Sequence, residues 1–131
     1  MIMSLREQII ARRDSKIYCV ESEDRPVEML KLCPWKAKEW LLPWPRFEYS
    51  NFVPEEDSER IELFFPHHKV IILGHSLREL EKDISKMHVR CLRDLPESHY
   101  PTFDPKEPFI KLLEVHLLNG SKNPQQGNLP F

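Results

Sequence analysis

Apolar positions along the chain change period several times, and the changes mark out its elements. The longest regular stretch runs from Ser76 to Leu95, where Leu77, Leu80, Ile84, Met87, Cys91 and Leu95 recur at spacings of three and four. At about 100° per residue these six fall on one stripe of an α-helix. Ser76-Leu77-Arg78-Glu79 spells a capping box at its start and Pro96 stops it. Ser4-Leu5-Arg6-Glu7 repeats the box and opens a short helical pattern to about Arg13, with Leu5, Ile9 and Ile10 on one face. Elsewhere the period is two. Arg60 to Phe65 sets Ile61, Leu63 and Phe65 against polar neighbours, and His68 to Leu73 continues as β after Pro66-His67. The pair predicts a hairpin, with a longer or bulged connection because Pro-His lacks the chemistry of a tight type I′ turn. Lys16 to Glu21 and Val27 to Leu32 are short β-prone runs, joined by the polar residues 22–26 as a hairpin-type connection. Arg46 to Phe52 alternates Phe47 and Tyr49 with Glu48 and Ser50, and Phe109 to Leu118 reads as a last strand with a helix as the alternative. The expected fold class is α+β: a mostly antiparallel sheet of five or six strands, covered by one long helix and flanked by the short N-terminal one. Residues 1–118 read as a single compact domain, and Asn119 to Phe131 as a disordered, polar C-terminal tail.

Composition narrows the function classes. The 131 residues, 40% apolar and 10% aromatic, suffice for a real core. Twelve prolines stand against three glycines, Gly74, Gly120 and Gly127. No window offers the closely spaced glycines that let backbone amides approach a phosphate, which excludes Walker and dinucleotide loops. Most turns must also be made by residues that resist positive φ. The formal charge of −2 gives no whole-molecule attraction to nucleic acid or anionic lipid. No apolar run approaches the roughly 20 residues of a membrane span, so a cytoplasmic protein without membrane association is expected. Cys19, Cys33 and Cys91 lie far apart without a C-x-x-C pair and read as buried thiols. No cofactor and no zinc framework is implied.

Four features could carry chemistry. Val70 to Arg78 runs strand, Gly74-His75-Ser76, helix, and so resembles the nucleophile elbow of α/β-hydrolases over about nine residues. The resemblance implies a Ser76 nucleophile, with Asp94 or Asp104 and then His99 or His116 completing the order of acid and base. The second glycine of that motif is here Arg78, and Ser76 reads equally as a helix N-cap. His67, His68 and His75 gather near one end of the expected hairpin as a conceivable metal cluster, although adjacent strand residues point to opposite faces. Arg78, Lys82, Lys86, Arg90 and Arg93 line the helix face opposite the apolar stripe and could meet phosphates; Glu79, Asp83 and Asp94 dilute that face. Trp35, Trp40, Trp44 and Phe47 fall in a segment broken by Pro43 and Pro45, and such aromatics either fill a core or form a partner surface. No coherent catalytic set emerges. The function expected first is a non-catalytic protein-binding or assembly module with a protein partner or a second copy of the chain. A nucleic-acid-associated domain using the basic helix face comes second, and a small hydrolase at Ser76 or the histidines third.

Overall fold

A computed structural model describes residues 17–118. The expected N-terminal helix and the tail from Asn119 lie outside the described residues. Eight strands form two four-stranded sheets: β1 (Val20–Ser22), β2 (Met29–Cys33), β3 (Trp40–Pro43), β4 (Tyr49–Pro54), β5 (Glu59–Phe64), β6 (His68–His75), β7 (Val89–Arg93) and β8 (Phe109–Leu117). A single α-helix among the described residues, α1 (Arg78–Ser85), lies between β6 and β7. The first sheet has the order β1-β7-β2-β3 and the second β4-β5-β6-β8. The molecule is therefore mostly β, and the expected single sheet under one long helix is corrected.

The helix stops ten residues early for a local reason. Met87 takes a left-handed φ of 59°. The His88 N–H reaches back to the Asp83 carbonyl and the Met87 N–H to that of Ile84, both at 2.9 Å. These two bonds make a Schellman motif, whose left-handed position glycine usually fills. With methionine there, the stop is invisible in the sequence. Past it, Val89, Cys91 and Leu92 are all buried because β7 is an inner strand, antiparallel to β1 and parallel to β2. Burial of the adjacent residues Cys91 and Leu92 breaks the alternation that marks a strand, and the apolar residues of β7 continued the helical spacing by coincidence. The same insertion corrects the first expected hairpin, since β7 separates β1 from β2.

The second sheet follows its sequence pattern closely. Ile61 and Leu63 of β5 face Ile72 and Val70 of β6, and Leu113 of β8 joins them from the far side of β6. All five side chains are buried, with Leu30, Leu32 and Leu42 of the first sheet and Leu80 and Ile84 of α1 in the same cluster. The β5–β6 turn is tighter than expected. Phe65 and His68 exchange N–H···O bonds of 2.9 and 3.4 Å around the two residues Pro66 and His67. The 109–118 segment is a strand, which settles the helix alternative.

Candidate peptide-binding face

At one end of the molecule the β2–β3 loop stands beside the outer edge of β8. The loop turns at Pro34 to Ala37, closed by the Ala37 N–H on the Pro34 carbonyl at 3.2 Å, with Lys36 at φ 53°. Only a position-three residue of positive φ gives this turn, and a lysine fills it in this glycine-poor chain. Trp35 in the turn and Trp40 at the start of β3 line different clefts. Trp35 remains 48% exposed with His99 tilted against it, ring centres 6.3 Å apart. Trp40 is half-buried, edge-on to His68 at 5.4 Å, with the Lys38 ammonium 4.3 Å above its ring. Between Trp40 and β8 runs a cleft of about 340 Å³ lined by Pro34, Ala37, Lys38, Leu113, Val115 and His116.

Asp94 fixes both walls of this face. It is the one buried charged side chain among the described residues. Its Oδ1 accepts the Trp35 N–H at 2.5 Å and its Oδ2 the Leu113 N–H at 2.9 Å, so one carboxylate ties the loop to β8 across the two sheets. The Leu113 bond also orients the strand. Because this N–H points away from β6, alternation along an antiparallel ladder turns the N–H and C=O of Val115 and Leu117 outward as well. No strand lies beyond β8 among the described residues, and Leu117 is 64% exposed. The first half of this edge is covered, by the Leu95 N–H on the Ile110 carbonyl at 3.0 Å and by Cys19 on the Ile110 N–H at 3.2 Å. Among the described residues, none pairs with the second half.

The Trp40–His68 contact responds to acid. Desolvation foremost, with the neighbouring His67 charge, holds the His68 imidazole below its ordinary value. The folded state thus prefers the neutral ring. As pH falls below about 6.5, the unfolded chain protonates first and stability is lost down through the lower, folded value. In an NMR titration the His68 ring should show a midpoint below about 6.5, with Trp40 indole signals shifting at the same pH. A midpoint at or above the ordinary value contradicts this account.

The remaining candidates separate. Trp44 is not on the face: it is 1% exposed in the core, and Phe47 packs edge-on against it at 5.1 Å. The five cations do not share a helix face, because only Arg78 and Lys82 lie on α1, with Lys86 at its C-cap and Arg90 and Arg93 on β7. Most are engaged locally. Arg78 stacks on Phe52 at 3.7 Å and pairs with Glu81, Lys82 pairs with Glu79 at 2.9 Å, and Arg90 bridges Glu21 and Glu23. Arg93 pairs with Glu21 at 2.7 Å.

Ser76 sits at φ 59°, and its hydroxyl donates to the Pro105 carbonyl; it does not cap α1, whose N-cap residue is Leu77, with its N–H held by Glu59 Oε1 at 2.6 Å. His75 stacks on Tyr100 at 4.8 Å, and His116 pairs with Glu114 at 3.0 Å. His67 lies in the turn before β6, His68 opens that strand and His75 closes it, roughly 23 Å away along its eight residues, so the three do not cluster. Among the described residues no group of three His, Cys, Asp or Glu could hold a metal ion, and no helix is long and apolar enough to cross a membrane. The sequence offers Asp94 only as a candidate acid and as a charge on the helix face; that it ties the loop to β8, and that β8 is an edge strand, escaped sequence reasoning, because neither role has a local signature. No protein-family model, no curated protein and no solved structure matches this chain.

Proposed function

We propose that the chain is a non-catalytic protein-binding module that takes an extended segment of a partner as an added strand on the outer edge of β8. The observation that supports this most is the open edge itself. Outward backbone groups at Val115 and Leu117 lie beside an apolar cleft walled by Trp40. Strand addition draws affinity from such backbone groups and selectivity from pockets for alternate side chains. Trp40 and Ala37 supply the apolar wall, while Lys38 and His116 place polar groups at the rim.

The test is a library of random peptides displayed on phage and panned against the full chain. Selected peptides should protect the Val115 and Leu117 amides from hydrogen exchange. Val115→Pro removes the outward N–H, at an edge where proline is tolerated, and Val115→Ala controls for the loss of a side chain that packs on the core and lines the cleft. The proline variant should retain the native circular dichroism and lose at least about tenfold in peptide affinity, one missing bond of roughly 1.5 kcal/mol. Trp40→Ala should weaken the same peptides. If Val115→Pro binds them as tightly as the native chain does, strand addition at β8 is wrong. If the partner is a second copy, sedimentation should show a dimer that Val115→Pro dissociates.

A further inference from the structure

Two thiols 58 residues apart in sequence face each other on the outer side of the first sheet. The parallel register pairs Lys31 with Cys91 and Cys33 with Arg93, which makes Cys33 and Cys91 diagonal neighbours on one face. Their Sγ atoms are 3.9 Å apart. The two differ in access. Cys33 is half-buried in a cleft of about 290 Å³ with Trp35, Lys36 and Arg93, whereas Cys91 is 1% exposed. Arg93 Nη2 donates to the Cys91 sulfur at 3.3 Å. That arginine is itself held by Glu21 at 2.7 Å and by the Tyr18 carbonyl at 2.8 Å.

We propose that Cys33 and Cys91 form an oxidative modification site, in which a peroxide oxidises Cys33 and Cys91 then closes the product to an intramolecular disulfide between β2 and β7. Access assigns the roles. Burial foremost pushes the Cys91 thiol up to about 11, so it stays protonated at neutral pH while the cleft-facing Cys33 meets the oxidant. In the first step Cys33 sulfur, having lost its proton to water, attacks one peroxide oxygen. An S–O bond forms, the O–O bond breaks, and the hydroxide released takes up a proton as water, leaving a sulfenic acid. In the second step Cys91 sulfur attacks Cys33 sulfur. The S–S bond forms, the S–O bond breaks, and the Cys91 proton leaves with the hydroxyl as a second water. Two thiols are oxidised and one peroxide is reduced to two waters. Arg93 is a positioning residue, its guanidinium placed to stabilise charge on Cys91 sulfur as that proton departs. The sulfurs must close from 3.9 Å to about 2.05 Å, and because diagonal neighbours on paired strands stand roughly 7–8 Å apart, the β2 and β7 backbones must draw together as the side chains rotate.

This inference is independent of strand addition at β8, and its test reads covalent chemistry. The full chain is treated with hydrogen peroxide, blocked with N-ethylmaleimide, digested with trypsin without reductant and analysed by mass spectrometry. Cleavage isolates the two cysteines in peptides 32–36 and 91–93. These should appear linked, about 2 Da below the sum of the free peptides, and be separated by dithiothreitol. Cys91→Ser should instead leave a Cys33 sulfenic acid that dimedone captures. The wild-type digest decides by itself if that variant does not fold. The proposal is overturned if both peptides carry maleimide after peroxide, if Cys33 ends as a sulfinic acid, or if it links to a second chain.

Discussion

Truncating Trp44 to alanine is expected to destabilise the fold by about 4 kcal/mol, a drop of about 15 °C in melting temperature for a chain of this length. The side chain is 1% exposed, and its Nε1–H donates to the Val89 carbonyl at 2.7 Å. The ring meets Phe47 edge-on at 5.1 Å and Phe65 at 6.1 Å, and those two rings are 5.7 Å from each other. Trp44 therefore joins the turn after β3 to the middle of the first sheet and to the β5–β6 hairpin. Alanine removes the three-ring packing and also leaves a buried carbonyl without its donor. Trp44→Phe separates the two contributions, keeping much of the apolar contact while losing the hydrogen bond, and should cost about half as much. Urea unfolding monitored by circular dichroism measures both. Tryptophan emission adds an independent readout: Trp44→Phe should delete the blue-shifted, quencher-resistant component and leave the accessible emission of Trp35. A Trp44→Ala protein melting within about 3 °C of the native chain contradicts this placement.

Trp44 also marks where sequence reading reaches its limit. Composition placed three tryptophans and two prolines in one segment, but nothing in that segment divides buried from exposed indoles. The division comes from Glu28, just before β2, whose carbonyl accepts the Trp44 N–H at 2.8 Å, and from β7, whose Val89 carbonyl accepts the indole. These contacts join residues far apart in the chain. Where pairing is local, the pattern was legible. Ile61 and Leu63 against Val70 and Ile72 gave the β5–β6 hairpin, and the strand reading of 109–118 was correct. Where pairing is distant, it was not. The parallel contact of Leu32 with Leu92 spans most of the described chain, and β7 enters between β1 and β2 without a mark on the sequence around either. The helix overran for a related reason, since a left-handed Met87 gives no warning that glycine would have given. Lys36 and Ser76 take positive φ likewise. A chain with three glycines hides its turns, and the candidate face depends on one of them, the Lys36 turn that carries the Trp35 N–H to Asp94.

Gly74 is the one glycine of the described residues, and its replacement by alanine should cost about 3 kcal/mol, or about 10 °C in melting temperature. The resemblance to a nucleophile elbow suggested a chemical role for it, but its surroundings give a mechanical one. A Cβ built on Gly74 would lie 1.8 Å from the Phe109 carbonyl oxygen and 2.9 Å from its carbon. Both are backbone atoms of β8, so no side chain can rotate out of the way. The close approach occurs where the β6–β8 register shifts between Leu73 and Gly74. Accommodating a methyl group there requires the start of β8 to move off β6, against Ile110 and Phe109, which are fully buried. Hydrogen exchange should localise the damage. Amides of β6 and β8 should lose protection in Gly74→Ala while the β2–β3 pair keeps its own, because the first sheet shares no backbone ladder with β8. Displacing β8 also carries Leu113 away from Asp94, the carboxylate that holds the strand beside the Trp35 turn. Gly74→Ala should accordingly weaken capture of panned peptides even at temperatures where the variant remains folded. Full stability in Gly74→Ala would mean that β6 and β8 are not packed this closely, and the orientation assigned to the open edge at Val115 would fall with it.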